Sequence, residues 1–510
     1  METNESVNTN HPNQIMKQKL RYWILTLVCS AIFWSGFVMP VSASSQLLQP
    51  KQRQILERIG FGINSAQIER VKANDIEAYI QSQLNPETIS ETTILQKYLT
   101  ELNPTYRSPF ELHRKYAANR KKLNDNFQLS TEQQKLLEQQ NRDLNRTARD
   151  RAANIRLARA IYSSRQLQEV MVDFWFNHFN VFANKGDINF WLSDYEDDIR
   201  THALGSFRDL LGVVARDPAM LIYLDNRLNT DPKSPLAKGR HKGLNENYAR
   251  ELMELHTLGV DGGYSQDDII ALAKIFTGWT VDYQGKRGDK KGFVFFAKRH
   301  DSSDKVFLGH KIKGSGIEEG ELALDILASH PATARFISYR LAQYFVSDRP
   351  PSRLVDSLAQ KFTQSNGNIK AVMDTLIHSP EFSDPQFSRQ KFKTPYQYLI
   401  SLARVAEVKQ ANLKRLQGML NQLSMPLYLC SPPIGYQNTQ DAWLNPQAML
   451  LRINLAGAIA NQALDPNSTV EYQTVANNIG ELSSHTQKVI TETPKLNTKL
   501  ILASPEAMYR

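Results

Sequence analysis

Two acidic side chains, Glu251 and Glu254, stand three residues apart within the stretch 243–259. An asparagine suited to capping precedes them and a glycine suited to ending a helix follows, so both acids should share one helical face. Neighbouring carboxylates of this kind can share a divalent cation or a proton. Arg250 lies beside both acids, and an ordinary surface ion-pair cluster would show the same pattern. His256 is predicted to face the opposite, buried side of the helix.

A histidine inside an aromatic run is the second candidate. His178 follows Phe174 and Trp175 and precedes Phe179, while Asp173 lies on the polar face of the same predicted helix. A histidine surrounded by aromatic rings is commonly a core residue that is hydrogen-bonded to a carbonyl group. The alternative interpretation is that His178 is a metal ligand or a general base, held rigidly by apolar side chains that exclude water.

A third candidate is the loop His300–Asp301, since histidine and aspartate suit a divalent metal or an acid–base pair. One helix supplies only two adjacent carboxylates, too few for a closed metal site. The functional hypothesis therefore requires Glu251 and Glu254 to meet His178 or the His300–Asp301 loop at one concave surface. The candidate catalytic residues and the candidate metal ligands are the same set: Glu251, Glu254, His178, His300 and Asp301. The cofactor that this set would suit is a divalent metal ion.

Helices must position these residues, because helical signals dominate the chain. Pro218, Pro331 and Pro380 each follow a polar residue and suit the first position of a helix. Residues 265–268 form a capping box. Residues 279–312 are the exception, since aromatic strand segments alternate there with Gly- and Lys-rich turns. The predicted fold is mainly α, a multi-helix globular body with a small β-hairpin insertion.

The composition suits a globular protein with a basic surface. The chain has 510 residues, of which 41% are hydrophobic and 22% are charged, and its net charge is +9. The charge surplus is spread too thinly to indicate specific nucleic-acid binding. Residues 111–160 are strongly polar and carry several Lys and Arg, which is typical of a solvated helical pair. Contact with an anionic surface polymer is the alternative interpretation of this segment.

The N-terminus predicts export. Lys and Arg side chains precede the uncharged apolar run 22–39, and Ala43 offers a small residue for cleavage, so residues 1–43 form a predicted signal peptide. The expected location is periplasmic or extracellular. The alternative is an uncleaved anchor in the inner membrane through residues 22–39, whose length is just sufficient to span it. Cleavage would leave Cys430 as a lone, packed cysteine without a disulfide partner.

Three segments follow from these patterns. The signal peptide is residues 1–43, and a helical domain with the β insertion at about 279–312 is residues 44–464. Residues 465–510 are rich in Asn, Ser and Thr and poor in large apolar side chains, so a polar, loosely packed tail is predicted. The chain lacks the common nucleotide, serine-hydrolase and zinc-protease motifs.

Several segments together resemble the domain-of-unknown-function 1800 family, in motif order over about residues 50–460. They are 58–62, 174–178, 216–226, 243–260, 272–279, 300–301, 329–336, 347–351, 432–436, Trp443 and 451–455. The resemblance implies a bacterial, usually exported, mostly helical protein without an agreed activity or established catalytic residues. Genes of this family often neighbour those of the exported domain-of-unknown-function 1501 family, which is similar to sulfatases and phosphatases. A member of that second family is therefore an expected partner.

Two functional hypotheses from different classes remain open. In the first, the protein is an exported cell-envelope factor that binds or positions a partner exported enzyme or a surface polymer. In the second, it is an exported hydrolase or lyase with a carboxylate and histidine site that depends on a divalent metal ion. The first is preferred, because enzyme motifs are absent from the sequence.

Overall fold

The computed structural model describes residues 48–103, 106–125, 129–241 and 243–510. The predicted signal peptide 1–43 and the alternative anchor 22–39 lie outside the described residues. Residues 49–510 group into one compact unit. Within the described part of the chain, no helix combines the length and the apolar character that crossing a membrane requires.

Helices make up most of this unit, which confirms the predicted mainly α fold. Those before the insertion are α1 Pro50–Ile59, α2 Ser65–Asn74, α3 Ile76–Leu84, α4 Thr93–Leu102, α5 Pro109–Asp125, α6 Thr131–Tyr162, α7 Gln166–His178, α8 Leu192–His202, α9 Phe207–Arg216, α10 Pro218–Tyr223, α11 Glu246–Glu251 and α12 Gln266–Ile275. A π-helix, Leu252–Thr257, continues directly from α11.

The helices after the insertion reach almost to the last residue. They are α13 Ile317–Ser329, α14 Pro331–Phe345, α15 Ser352–Gln364, α16 Ile369–Ile377, α17 Pro380–Ser383, α18 Pro395–Val405, α19 Leu413–Gln422, α20 Gln440–Trp443, α21 Pro446–Ala460, α22 Tyr472–Ile479, α23 Ser484–Glu492, α24 Asn497–Leu502 and α25 Pro505–Met508. The predicted proline starts are confirmed, since Pro218, Pro331 and Pro380 each occupy the first turn of a helix.

The β insertion consists of two separate antiparallel hairpins rather than one. Strands β1 Trp279–Val281 and β2 Phe293–Phe295 pair with each other, and β3 Lys305–Phe307 pairs with β4 His310–Ile312. The second hairpin closes through Leu308 and a glycine that both adopt positive φ, which a tight two-residue turn requires. Because of this additional turn, the insertion holds two hairpins where the sequence predicted one.

The polar segment 111–160 forms the predicted helical pair, α5 and α6, but only part of it is solvated. The first half of α6 is largely exposed, whereas Ala153 and Leu157 in its second half are buried. The buried Arg156 makes an ion pair with Asp173 of α7, 2.7 Å between Nη2 and Oδ1. The second half of α6 therefore belongs to the core.

Residues 465–510 are packed against the body, contrary to the prediction of a loose tail. They form α22 to α25, and Val475, Ile501 and Met508 are buried. The Arg510 guanidinium donates a 2.7 Å hydrogen bond to the Tyr344 carbonyl. Apolar residues are few in this segment, but their spacing places them on one face of each short helix, which composition alone does not reveal.

Candidate functional site

The helix that carries Glu251 and Glu254 changes its geometry between them. The predicted cap is confirmed, because the Asn245 side chain accepts from the backbone N–H of Asn247. After α11 the chain continues as a π-helix instead of the expected regular α-helix. The Thr257 hydroxyl donates a 2.7 Å hydrogen bond to the Leu252 carbonyl, five residues earlier, and so stabilises the wider turn. Single π-turns of this kind are frequent at functional sites.

The two carboxylates have different surroundings. The Arg250 guanidinium lies between Glu246 and Glu254, with N–O distances of 3.4 and 3.5 Å, so the surface ion-pair cluster is present. The Glu251 carboxylate is half-buried and has neither an ion pair nor a hydrogen bond among the described residues. Burial and the neighbouring Glu254 raise the pKa of Glu251.

His178 and His256 meet inside the core. Both are buried, and the His178 Nε2 lies 3.1 Å from the His256 carbonyl oxygen. Burial lowers the pKa of His178 well below its usual value and lowers the pKa of His256 to about 3. The predicted burial of His256 is confirmed, but its Nδ1 atom has no hydrogen-bond partner among the described residues. Both rings are therefore neutral, and the carbonyl contact matches the interpretation of His178 as a core residue.

His300 belongs to a buried hydrogen-bond cluster, formed with Lys305 and Glu319, between the insertion and α13. Its Nε2 lies 2.9 Å from a carboxylate oxygen of Glu319, whose other oxygen accepts from Lys305 at 2.6 Å. Burial opposes ionisation of Glu319, but the hydrogen bonds with His300 and Lys305 lower its pKa below the usual value. Asp301 lies partly exposed beside this group and accepts from the Ser303 backbone N–H. This hydrogen-bond cluster joins β3 to the first turn of α13.

The predicted candidates thus fall into three local groups. Glu251 lies with Glu254, His178 with His256, and His300 with Glu319 and Lys305. Among the described residues, no three His, Cys, Asp or Glu side chains are placed to hold a metal ion. The metal site built from Glu251, Glu254, His178, His300 and Asp301 stays a prediction. Cys430 is a free, buried cysteine, and burial raises the pKa of its thiol to about 11.

A second region has the shape of a binding site. Three adjoining cavities form what we call the basic groove. The first, about 1180 Å³, lies between α5 and α6, and it shares Tyr116 and Arg120 with the second, which is about 660 Å³. The third, about 760 Å³, lies against the β1–β2 hairpin and shares Arg227, Arg240 and Tyr283 with the second. We call this third cavity the end pocket.

Aromatic contacts join α5 to the β1–β2 hairpin and thereby shape the groove. The rings of His113 and Tyr283 stack, with centroids 4.4 Å apart and planes at 28°. Phe110 packs so closely on Gly285 and Gly292 that a Cβ atom at either glycine would lie 3.2 to 3.3 Å from its ring. Both glycines also have positive φ, so a side chain at either position would be strained.

Most acidic side chains in the basic groove are already engaged. Glu138 pairs with Arg142 at 3.6 Å, Asp143 with Arg146 at 2.8 Å, and Asp187 with His113 at 3.3 Å. Asp125, which lines the second cavity, is exposed and has no ion pair among the described residues. The groove's negative charge is therefore largely neutralised from within.

The groove's cations, by contrast, exceed its acids. Arg120, Lys121, Arg240, Lys286 and Arg287 are exposed, line one or more of the three cavities, and have no ion pair in the described part of the chain. Cations that line adjoining cavities produce a positive potential that attracts anions. This arrangement can bind an extended anion.

Asp282 holds the turn that presents two of these cations. Its carboxylate accepts hydrogen bonds from the backbone N–H groups of Gln284, Lys286, Arg287 and Gly288, at 2.5 to 3.0 Å. Burial opposes ionisation, but these four donors lower the pKa of Asp282 to about 2. The turn is therefore ordered before any ligand arrives.

Sequence patterns anticipated one wall of this groove and missed the other. The cations of 111–160 predicted a polymer contact as one interpretation. Arg227 and Arg240 lie in two short 3-10 helices, Asn226–Leu228 and Gly239–His241. Lys286 and Arg287 lie in the β1–β2 turn, more than a hundred residues beyond that segment. The Lys-rich turn was visible in the sequence, but only the fold brings it to α5.

The fold and the groove define a mainly helical protein with two small hairpins and an open, cation-lined groove. The chain belongs to the family described as Protein of unknown function (DUF1800), whose model matches residues 54–509. The resemblance seen in the sequence motifs is thereby confirmed. The match includes almost all of residues 465–510, in agreement with their packing against the body. Searches of curated proteins and of solved structures gave no match.

Proposed function

We propose that this protein is an exported cell-envelope factor that binds an anionic polysaccharide in the basic groove. The observation that carries the proposal is the set of exposed groove cations without an ion pair in the part of the chain that the structure describes: Arg120, Lys121, Arg240, Lys286 and Arg287. Export is supported by the pattern of residues 1–43, a basic start followed by an apolar run and a small residue.

The chemistry between the cations favours a polysaccharide over a nucleic acid. The first cavity is lined by exposed or partly exposed side-chain amides, a group that can exchange hydrogen bonds with sugar hydroxyl groups: Asn124, Gln134, Gln139, Asn145 and Asn184. Single-stranded nucleic acid is usually held by aromatic rings on which successive bases stack. Tyr116, Tyr283 and Phe296 line the groove, but side-chain amides and cations outnumber aromatic rings there. This pattern suits a polymer whose charged groups are separated by neutral, hydroxyl-rich units.

A hydrolase or lyase is the second candidate function. The half-buried Glu251, which has a raised pKa and no partner among the described residues, is the observation that favours it. A carboxyl group of this kind can act as a general acid. Binding or positioning of a sulfatase-like or phosphatase-like protein of the domain-of-unknown-function 1501 family is compatible with either candidate.

The test is a calorimetric titration of the purified protein with polygalacturonate at low and high salt. We expect binding that weakens at least tenfold in the variant R120Q/K121Q/R240Q/K286Q/R287Q, and that weakens in the wild type as salt rises, since screening acts on exposed charges. Neutral dextran should not bind. Thermal unfolding should be nearly unchanged, because these side chains have no ion pair to lose.

A matched control removes the same charge elsewhere. The variant K311Q/K414Q/R415Q/K488Q/K495Q changes five exposed cations that do not line the basic groove, so it should bind polygalacturonate almost as the wild type does. Equal loss in both variants would show a mere effect of net charge and would overturn the proposal. Tighter binding of oligo-deoxythymidine than of polygalacturonate would also overturn it, in favour of nucleic acid.

A further inference from the structure

The end pocket differs in chemistry from the rest of the basic groove. Apolar side chains line it, among them Leu228, Leu236, Val294 and Phe296, and all four are partly or fully exposed. Leu236 in particular is 40% exposed. Sugar hydroxyl groups and charges do not require such a floor. Exposed apolar side chains gathered in one cavity instead indicate contact with an apolar group of a ligand.

The rim of the end pocket is cationic. Arg240, Lys286 and Arg287 reach it without ion pairs among the described residues. Arg299 lies beneath the rim, where its guanidinium donates to the Thr230 hydroxyl at 2.8 Å and to the Arg227 carbonyl at 2.8 Å. Arg299 is therefore occupied in holding the loop, and the three rim cations are the ones left for an anion.

We infer that the end pocket binds an N-acylated acidic sugar, with its carboxylate at the cationic rim and its acyl methyl group on the apolar floor. This inference rests on the proposed function and specifies the kind of sugar unit that the polymer carries. The cavity of about 760 Å³ falls within the ordinary range of small-ligand sites. Tyr283, whose ring stacks on His113, lines both this cavity and the second.

The apolar floor favours an N-acylated acidic sugar over two other ligands. A plain uronic acid would leave Leu236, Val294 and Phe296 without an apolar partner. A long acyl chain would need a deep, continuous apolar channel, whereas this floor is flanked by Thr280, Asp282 and several cations. A single short acyl group beside a carboxylate satisfies both parts of the lining.

Three free sugars can test the carboxylate contact and the acyl contact separately. N-acetylmuramic acid carries both groups, glucuronic acid lacks the acyl group, and N-acetylglucosamine lacks the carboxylate. In titrations of the purified protein we expect N-acetylmuramic acid to bind at least tenfold more tightly than either of the others. Saturation-transfer NMR should place the strongest signal on its acetyl methyl protons. Equal affinity for glucuronic acid would overturn the inference.

Paired variants locate the contact. L236Q should weaken N-acetylmuramic acid at least fivefold, whereas L496Q, which changes a leucine of similar exposure that does not line the groove, should leave it unchanged. Unchanged binding in L236Q would contradict the assignment of the floor. If wild-type protein binds polygalacturonate but not N-acetylmuramic acid, the inference fails and the proposed function stands. If it binds neither, the proposed function fails as well.

Discussion

The same kinds of charged side chain behave in opposite ways in two regions of this protein. In the core, Arg156 pairs with Asp173 and Glu196, and Arg200 pairs with Glu196 and Glu169, mostly at 2.7 to 3.1 Å. All five are buried. We call them the core network. In the basic groove, five exposed cations, Arg120, Lys121, Arg240, Lys286 and Arg287, have no ion pair among the described residues.

The difference separates charges that stabilise the fold from charges left for a ligand. A buried charge without a partner is costly, so the core network must be nearly complete in the folded protein. An exposed cation is solvated, and the protein tolerates it without a partner. Variants in the first region should therefore change stability, and variants in the second should change binding.

The largest expected effect is in the core network. R156M removes the cation that faces two buried carboxylates and should lower the free energy of unfolding by about 3–5 kcal/mol, measured by urea denaturation. R142Q, which breaks the exposed pair with Glu138, should cost less than about 1 kcal/mol. Similar losses in the two variants would contradict the distinction between the regions.

The second-largest expected effect is a dependence of folding stability on pH. The pKa of His256 is about 3 in the folded protein and near 6.5 when exposed, so between these values the unfolded chain binds a proton that the folded chain does not. Stability should therefore fall as pH drops below 6.5, by roughly 1 kcal/mol per pH unit for each such histidine. His178, whose pKa is also lowered, should act in the same direction.

Urea denaturation of H256M between pH 7 and pH 5 tests this expectation. The slope of stability against pH should be smaller than in the wild type, because a buried histidine with a lowered pKa is gone. The exposed His485 offers the control H485N, which should keep the wild-type slope. An unchanged slope in H256M would show that the pH dependence comes from other groups.

A smaller effect is expected for the turn of the basic groove. D282N should lose part of its four charge-assisted hydrogen bonds and cost about 1 kcal/mol of stability. Polygalacturonate should bind several-fold more weakly, since Lys286 and Arg287 are no longer held in place. D289N, in the same hairpin but outside the groove lining, provides the comparison. Wild-type affinity in D282N would show that order in the turn is unimportant.

The smallest effect is expected for the exchange E251Q/E254Q. Glu251 has no partner to lose, and Glu254 loses a partly exposed pair with Arg250 at 3.5 Å. The change in unfolding free energy should therefore stay within about 0.5 kcal/mol. Calcium and zinc uptake of both proteins, measured by mass spectrometry, tests the metal hypothesis. Uptake by the wild type that disappears in the folded variant would support the predicted site.

Much of the fold could be predicted from the sequence, because the patterns that indicate it are local. Proline starts, capping residues and the alternating aromatics of 279–312 act within a few residues of where they stand. The tail 465–510 was misjudged because composition counts apolar residues without regard to their spacing. The π-helix after Glu251 was also missed, since a change from i+4 to i+5 hydrogen bonding leaves little trace in the sequence.

The candidate chemical residues were harder to judge for a different reason. His178 and His300 have the right side chains for catalysis, yet each one's role depends on its neighbours. His178 contacts a carbonyl 78 residues away, and His300 contacts Glu319 across a hairpin. The motif around Glu251 predicted a helix correctly, but it could not reveal which carboxylate Arg250 would engage.

By itself, the sequence determined the mainly helical fold, the family, and the cationic character of one helical pair. These follow from periodicity, capping chemistry and composition, which are properties of short segments. Only the tertiary structure joined α5 to the β1–β2 hairpin, brought Asp187 to His113, and left Arg240, Lys286 and Arg287 without an ion pair among the described residues. Whether a charge is satisfied depends on side chains that are distant in sequence, and folding alone brings them within hydrogen-bond distance.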